Sequence, residues 1–340
     1  MTEYIGILAA ALLALTGACA PGLRDGGSSP SSEQADERGD AALFVANKQE
    51  NSVSRIDLAS GLETARVPSC INPHELALSP DGEHVALGCY GGTALEIFRA
   101  DDLARVTAIE LGDEARPHGL IWHANGQLMA GAEGRGTVFV VEEPLSAEPE
   151  LVEIDAVEGG PHLIAVSADG GIVWGTAVRL GEVVRIDVAS RNVTHRNRLG
   201  GDTEAIALSP DGSALWVGAN SADRLYRLNP ATLEVESEID TGAMPIRVAA
   251  SPDGRHAVTS NLRDGSLSVV DAATNRVART IEVAGSPRSG QVTITFSPDG
   301  ERLYVAETGA NMVAEIEFAT GEVLRRLAAG EGGDGLAISR

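Results

Sequence analysis

The 340-residue sequence sets 49 Asp and Glu against 26 Lys and Arg, a formal net charge of −23. That charge repels a phosphate backbone and excludes nucleic acid as a partner. With 43% apolar and 22% charged residues the chain can bury a full core, and its 39 glycines suit many tight turns.

Residues 5–15 are an apolar run rich in Ala and Leu, too short to span a bilayer and placed like the hydrophobic segment of a signal peptide. Leu15-Thr16-Gly17-Ala18-Cys19 follows and resembles the lipobox of bacterial lipoproteins, which implies that Cys19 becomes a lipidated N-terminus. The leader departs from the secretory pattern in one respect: Met1-Thr2-Glu3-Tyr4 carries no Lys or Arg. Residues 22–40, rich in Gly, Ser, Asp and Glu without apolar periodicity, read as a flexible tether. The expected organisation is a signal peptide over 1–18, a lipidated tether over 19–40 and one folded body over 41–340. The chain would then be extracytoplasmic, periplasmic or at the cell surface, and touch a bacterial membrane only through its lipid.

From there a short pattern recurs: HELALSPDG (74–82), HGLIWHANG (118–126), HLIAVSADG (162–170), EAIALSPDG (204–212), IRVAASPDG (246–254), VTITFSPDG (292–300) and DGLAIS (334–339). Its Ser, replaced once by His123, falls at 79, 123, 167, 209, 251, 297 and 339. A fixed period of this size filled with alternating apolar runs predicts propeller blades of four antiparallel strands. Asp-Gly supplies the positive φ angles of a tight hairpin between strands one and two. The body opens at Ala42 on a second-strand sequence, LFVAN, and closes on GLAIS, a first strand with nothing after it. The expected fold is therefore an all-β, seven-bladed β-propeller, its last blade closed by three N-terminal strands and one C-terminal strand.

The order of apolar strand, SPDG, strand ending in VAN and strand ending in Asp is similar to the YVTN-type (YncE-like) β-propeller repeat across residues 41–340. The Gly-His and Trp-Asp dipeptides of WD40 repeats are missing. The resemblance implies a seven-bladed, extracytoplasmic or surface propeller and no single activity.

Five positions before the marker, the repeats carry His74, His118, His162, Glu204, Ile246, Val292 and Asp334; Pro73, Pro117 and Pro161 precede the three histidines. Equivalent positions at the start of innermost strands share one rim of the axial channel. Three imidazoles and a carboxylate are ligand types for Zn, Mn, Fe or Ni, so His74, His118, His162 and Glu204 form a candidate metal site. Glu75, Glu133, Arg247, Asn261 and Asp334 fall near the same rim as candidate ligand-binding residues, with Glu75 and Glu133 as candidate bases. The alternative is that these histidines bond neighbouring blades and plug the channel. His84, His123 and His256 read as solvent-facing or turn residues.

Cys70 lies in a loop entering a first strand and Cys89 at the end of the adjacent second strand, so a disulfide can form. A Cys89 thiolate joining His74 on a metal, or two free thiols, are the other possibilities. No Gly-x-Ser-x-Gly, His-Glu-x-x-His, Cys-x-x-Cys or P-loop sequence occurs. The functional expectation is a monomeric, lipid-anchored propeller that binds a small molecule or envelope protein at its rim. A metal-dependent hydrolase or lyase acting on a lactone or sugar acid, and a structural interaction scaffold, are the rivals.

Overall fold

A computed structural model describes residues 41–283 and 288–339. The apolar leader, Cys19 and the tether lie outside these residues. The strands pair into seven four-stranded antiparallel sheets, each built in chain order from the first strand outward. We number the blades 1 to 7, beginning with the sheet that opens at Pro73. Blade 7 joins Gly333–Ile338 to Ala42–Asn47, followed by Ser52–Asp57 and Glu63–Pro68, which closes the ring as the two ends of the repeat require. First strands of successive blades contact one another all the way round, including the last with the first.

Burial follows from position in the sheet. Second strands such as Ala42–Asn47, Leu128–Ala132 and Leu215–Ala219 are buried at every residue, which suits their continuous apolar sequences. Fourth strands such as Glu63–Pro68 and Arg276–Glu282 alternate exposed and covered positions as outer edges do. The core is not central. Among the described residues it forms seven apolar clusters, each shared by two adjacent blades; Phe44, Phe98 and Leu103 fill the junction of blades 7 and 1, for instance. Arginines of third and fourth strands bridge the same junctions: Arg55 donates to the carbonyl of Ala100, Arg227 to that of Ala272 and Arg279 to that of Ala319. Each accepting carbonyl belongs to the residues just past the next blade's third strand.

The Ser-Pro-Asp-Gly turns differ from the sequence expectation in one detail. Only glycine takes positive φ, as at Gly212 (70°); the Asp does not. Gly212 N–H bonds the Ser209 carbonyl at 2.8 Å, making Pro210 and Asp211 the centre of a tight turn that the left-handed glycine then leaves. Asp211 instead accepts from the Ser209 hydroxyl (2.6 Å) and the Ser213 N–H (3.0 Å). The Ser209 oxygen accepts from Ala214 N–H at 2.9 Å. The same hydroxyl-to-carboxylate bond recurs at Ser79, Ser167, Ser251 and Ser297. His123 keeps its turn through Nδ1, which accepts from Asn125 N–H, and its Nε2 lies 3.1 Å from the Ser167 carbonyl.

Candidate functional site

The rim residues occupy one structural position. His74, His118, Glu204, Ile246 and Asp334 are each the second residue of their first strands, Pro73–Leu78, Pro117–Trp122, Thr203–Leu208, Pro245–Ala250 and Gly333–Ile338. His162 is the exception, lying two residues before the short strand Ile164–Val166 and just after a cis Gly160–Pro161 bond. Directly at this position the pairing of first and second strands skips, between Pro73 and Leu76, Pro117 and Leu120, and Thr203 and Ile206. A bulge frees residues from the ladder and re-aims their side chains, which is how consecutive residues such as His74 and Glu75 both serve the mouth. Glycine lets the blades close behind them: a Cβ on Gly335 would sit 1.8 Å from the His74 carbonyl oxygen, and one on Gly131 2.5 Å from that of Pro161.

The three imidazoles form a continuous stack. Ring centroids are 4.7 Å apart for His74 and His118 and 3.9 Å for His118 and His162. Tyr90 extends the stack, 4.6 Å from His74 and edge-on to His118 at 5.0 Å. His162 is held on both sides, Nδ1 2.9 Å from Glu133 Oε2 and Nε2 3.3 Å from Glu204 Oε1. Arg247 crosses the axis. Its guanidinium donates to Glu204 of blade 4 at 2.7 Å and to Glu75 of blade 1 at 3.1 Å, so one buried cation ties opposite sides of the mouth. Asn220 completes Glu204 at 2.6 Å. Asp334 accepts from Lys48 at 2.8 Å and Thr293 at 3.3 Å, with His74 Nε2 4.0 Å away.

These contacts set the charges. Burial pushes the His74 imidazole down to about 4, and burial with the neighbouring His162 holds His118 well below the usual imidazole range, so both are neutral at pH 7. Burial also opposes protonation of His162, but its bonds to Glu133 and Glu204 outweigh that and raise it. Burial would raise Glu204, yet His162 and Arg247 hold it at about 2. Burial likewise disfavours the Asp334 anion, and the charges of Lys48 and Arg247 overcome it. Glu75 goes the other way, its carboxyl raised by burial despite Arg247. One polar atom at the centre of the stack has no bond: Nδ1 of His118, a residue only 2% exposed, lies 4.0 Å from Glu75.

Of the residues singled out from sequence, the fold brings together His74, His118, His162, Glu204, Glu75, Glu133, Arg247 and Asp334. Asn261 stands apart, fully buried, with Nδ2 donating to Ser266 and Ser268 and Oδ1 accepting from Thr259 within its own blade. Among the described residues, sets of three His, Cys, Asp or Glu close enough to share one ion occur elsewhere, at Cys70, Cys89 and Glu96 and at Asp81, Glu83 and His84. Cys70 and Cys89 are joined in a disulfide with Cα atoms 5.7 Å apart, tying the loop before His74 to the strand before Tyr90.

Sequence reasoning found one member of a second ring, Glu133, and missed the other three. Lys48, Tyr90, Glu133 and Asn220 each immediately follow a second strand, and each contacts a residue of the first ring. Aligning the repeats at that position would have found them. Lys48 carried a further signal, being the only lysine in the sequence.

No family model matches the chain, and no curated protein does. Solved structures do. A streptogramin B lyase is 17% identical with a TM-score of 0.65, the match covering 78% of this chain and 86% of that one. The dihydro-heme d1 dehydrogenase NirN, solved with DHE, is 14% identical with a TM-score of 0.63 over 87% and 74%. A functionally unknown protein from Desulfotomaculum acetoxidans DSM 771 is 14% identical with a TM-score of 0.69 over 88% and 99%. At these identities the likeness is one of fold, and the chain is a seven-bladed β-propeller.

Proposed function

We propose that this is an extracytoplasmic binding protein, anchored through Cys19, whose small-molecule site is the histidine mouth of the channel. The observation that carries the reading is the Nδ1 of His118, buried at the centre of the aromatic stack without a hydrogen bond and 4.0 Å from Glu75. A buried polar atom left unbonded costs about 1–3 kcal/mol, which a ligand group at that place recovers.

Hydrogen bonding, rather than an ion, accounts best for the arrangement. Arg247 already supplies positive charge to Glu75 and Glu204, and both nitrogens of His162 face carboxylates. A transition metal would need His162 and Glu204 to leave these partners, and His74 and His118 to turn with them toward a common point. The rival of a metal-dependent hydrolase or lyase therefore requires a different mouth.

Screening the mature chain for compounds that raise its melting temperature tests the reading. His118→Phe keeps a ring in the stack and is expected to abolish the shift, while Ser209→Ala, at the opposite end, preserves it. A shift unaffected by His118→Phe, or stoichiometric metal found by elemental analysis of the mature protein, would overturn it. Release from the membrane fraction on Cys19→Ser tests the anchor.

A further inference from the structure

In a chain of net charge −23 the mouth holds four carboxylates, and every one is committed. Asp334 is bonded to Lys48 and Thr293, Glu204 to Arg247 and Asn220, Glu75 to Arg247, and Glu133 to His162. Donors beside them have N–H bonds to spare. Lys48 uses one of its three N–H bonds on Asp334, and its side chain is 25% exposed. Arg116 is exposed, lies 4.5 Å over the Tyr90 ring and gives one nitrogen to the Tyr90 hydroxyl at 2.6 Å. Arg179 is exposed and acts electrostatically on the same tyrosine. Among the described residues neither guanidinium is in an ion pair.

These donors form one arc. Lys48 shares Asp334 with His74, His74 packs on Tyr90, and Tyr90 carries Arg116. The His118 ring, whose Nδ1 has no hydrogen bond, is centred 4.7 Å from that of His74. An ammonium and guanidinia with free N–H groups around an aromatic floor recognise an oxyanion through charge-assisted hydrogen bonds.

We infer that the mouth selects a small organic anion, whose carboxylate or phosphate group is held by Lys48 and Arg116, and whose remaining body meets His118. The inference rests on the mouth being the binding site and adds the class of ligand. Because the whole chain repels anions, selectivity has to come from these local groups.

The single lysine makes the test direct. Reductive methylation of the full chain with ¹³C-formaldehyde labels α-amines and Lys48 alone, and Lys48→Arg identifies the lysine resonance. Titration with succinate and, separately, inorganic phosphate at millimolar concentration is expected to shift that resonance saturably with at least one of them, and which one distinguishes carboxylate from phosphate. Arg116→Gln is expected to weaken the response about tenfold or more. If neither anion shifts the lysine signal while neutral or cationic compounds do so, the anion assignment is overturned and the binding site stands. Should no compound of any charge move the Lys48 resonance, both readings fall.

Discussion

The two ends of the propeller are made from the same repeat and treat charge in opposite ways. At the Ser-Pro-Asp-Gly end each carboxylate is exposed and bonded inside its own turn, as at Asp81, Asp169, Asp211 and Asp253. At the mouth the equivalent positions change from blade to blade, through His, Glu, Ile, Val and Asp, and their bonds run between blades. The first end is repeated because every blade needs the same hairpin. The second varies because its parts make one site, where an individual side chain has to differ from its neighbours to be useful.

The largest way to break this contrast is at Arg247. Replacing it with Met strands Glu75 and Glu204 as buried acids, and the expected loss is about 3–5 kcal/mol in denaturant unfolding. Adding Glu75→Gln and Glu204→Gln to that variant is expected to recover much of the loss, since the buried carboxylates are what the cation stabilises. A single-site loss at Arg247 comparable to an ordinary surface change would mean that the mouth is no more integrated than the turns. Ser209→Ala removes bonds to Asp211 and Ala214 within one hairpin, and about 0.5–1.5 kcal/mol is expected, with no change at the mouth.

Much of this architecture was legible in the sequence because a turn that needs Gly at one place and a hydroxyl three residues earlier leaves a mark every time it recurs. Ser79 through Ser339 therefore gave the blade count, and the LFVAN and GLAIS ends gave the split blade. The first ring was legible for the same reason, as a slot at fixed distance from the marker. Three things were not. The bulge that brings both His74 and Glu75 to the mouth has no residue type of its own. Arg247 sits one residue past the slot, and only the closed ring places it across the axis from Glu75. Tyr90 and Lys48 follow second strands whose ends are anonymous until the register is known.

The acid response has a definite sign. His74 and His118 have lowered values, so they take up protons in the unfolded chain before the folded one, and stability falls as pH drops from about 6.5 toward 4. His162 opposes this, since its raised value contributes stability that is full below about 6.5 and lost as pH climbs through the folded value.

The claim underlying all of this is that burial, Arg247 and the carboxylates, without an ion, give three equivalent histidines different proton affinities. The ¹⁵N chemical shifts of His74, His118 and His162, followed from about pH 4 to about pH 8 in chelator-treated protein, test it most directly. The account predicts a His118 that stays neutral well below the ordinary histidine range, a His74 that protonates near 4 and a His162 imidazolium that persists above that range. Three imidazoles titrating together near 6.5, or all three shifting in concert when a stoichiometric transition metal is restored, would contradict it.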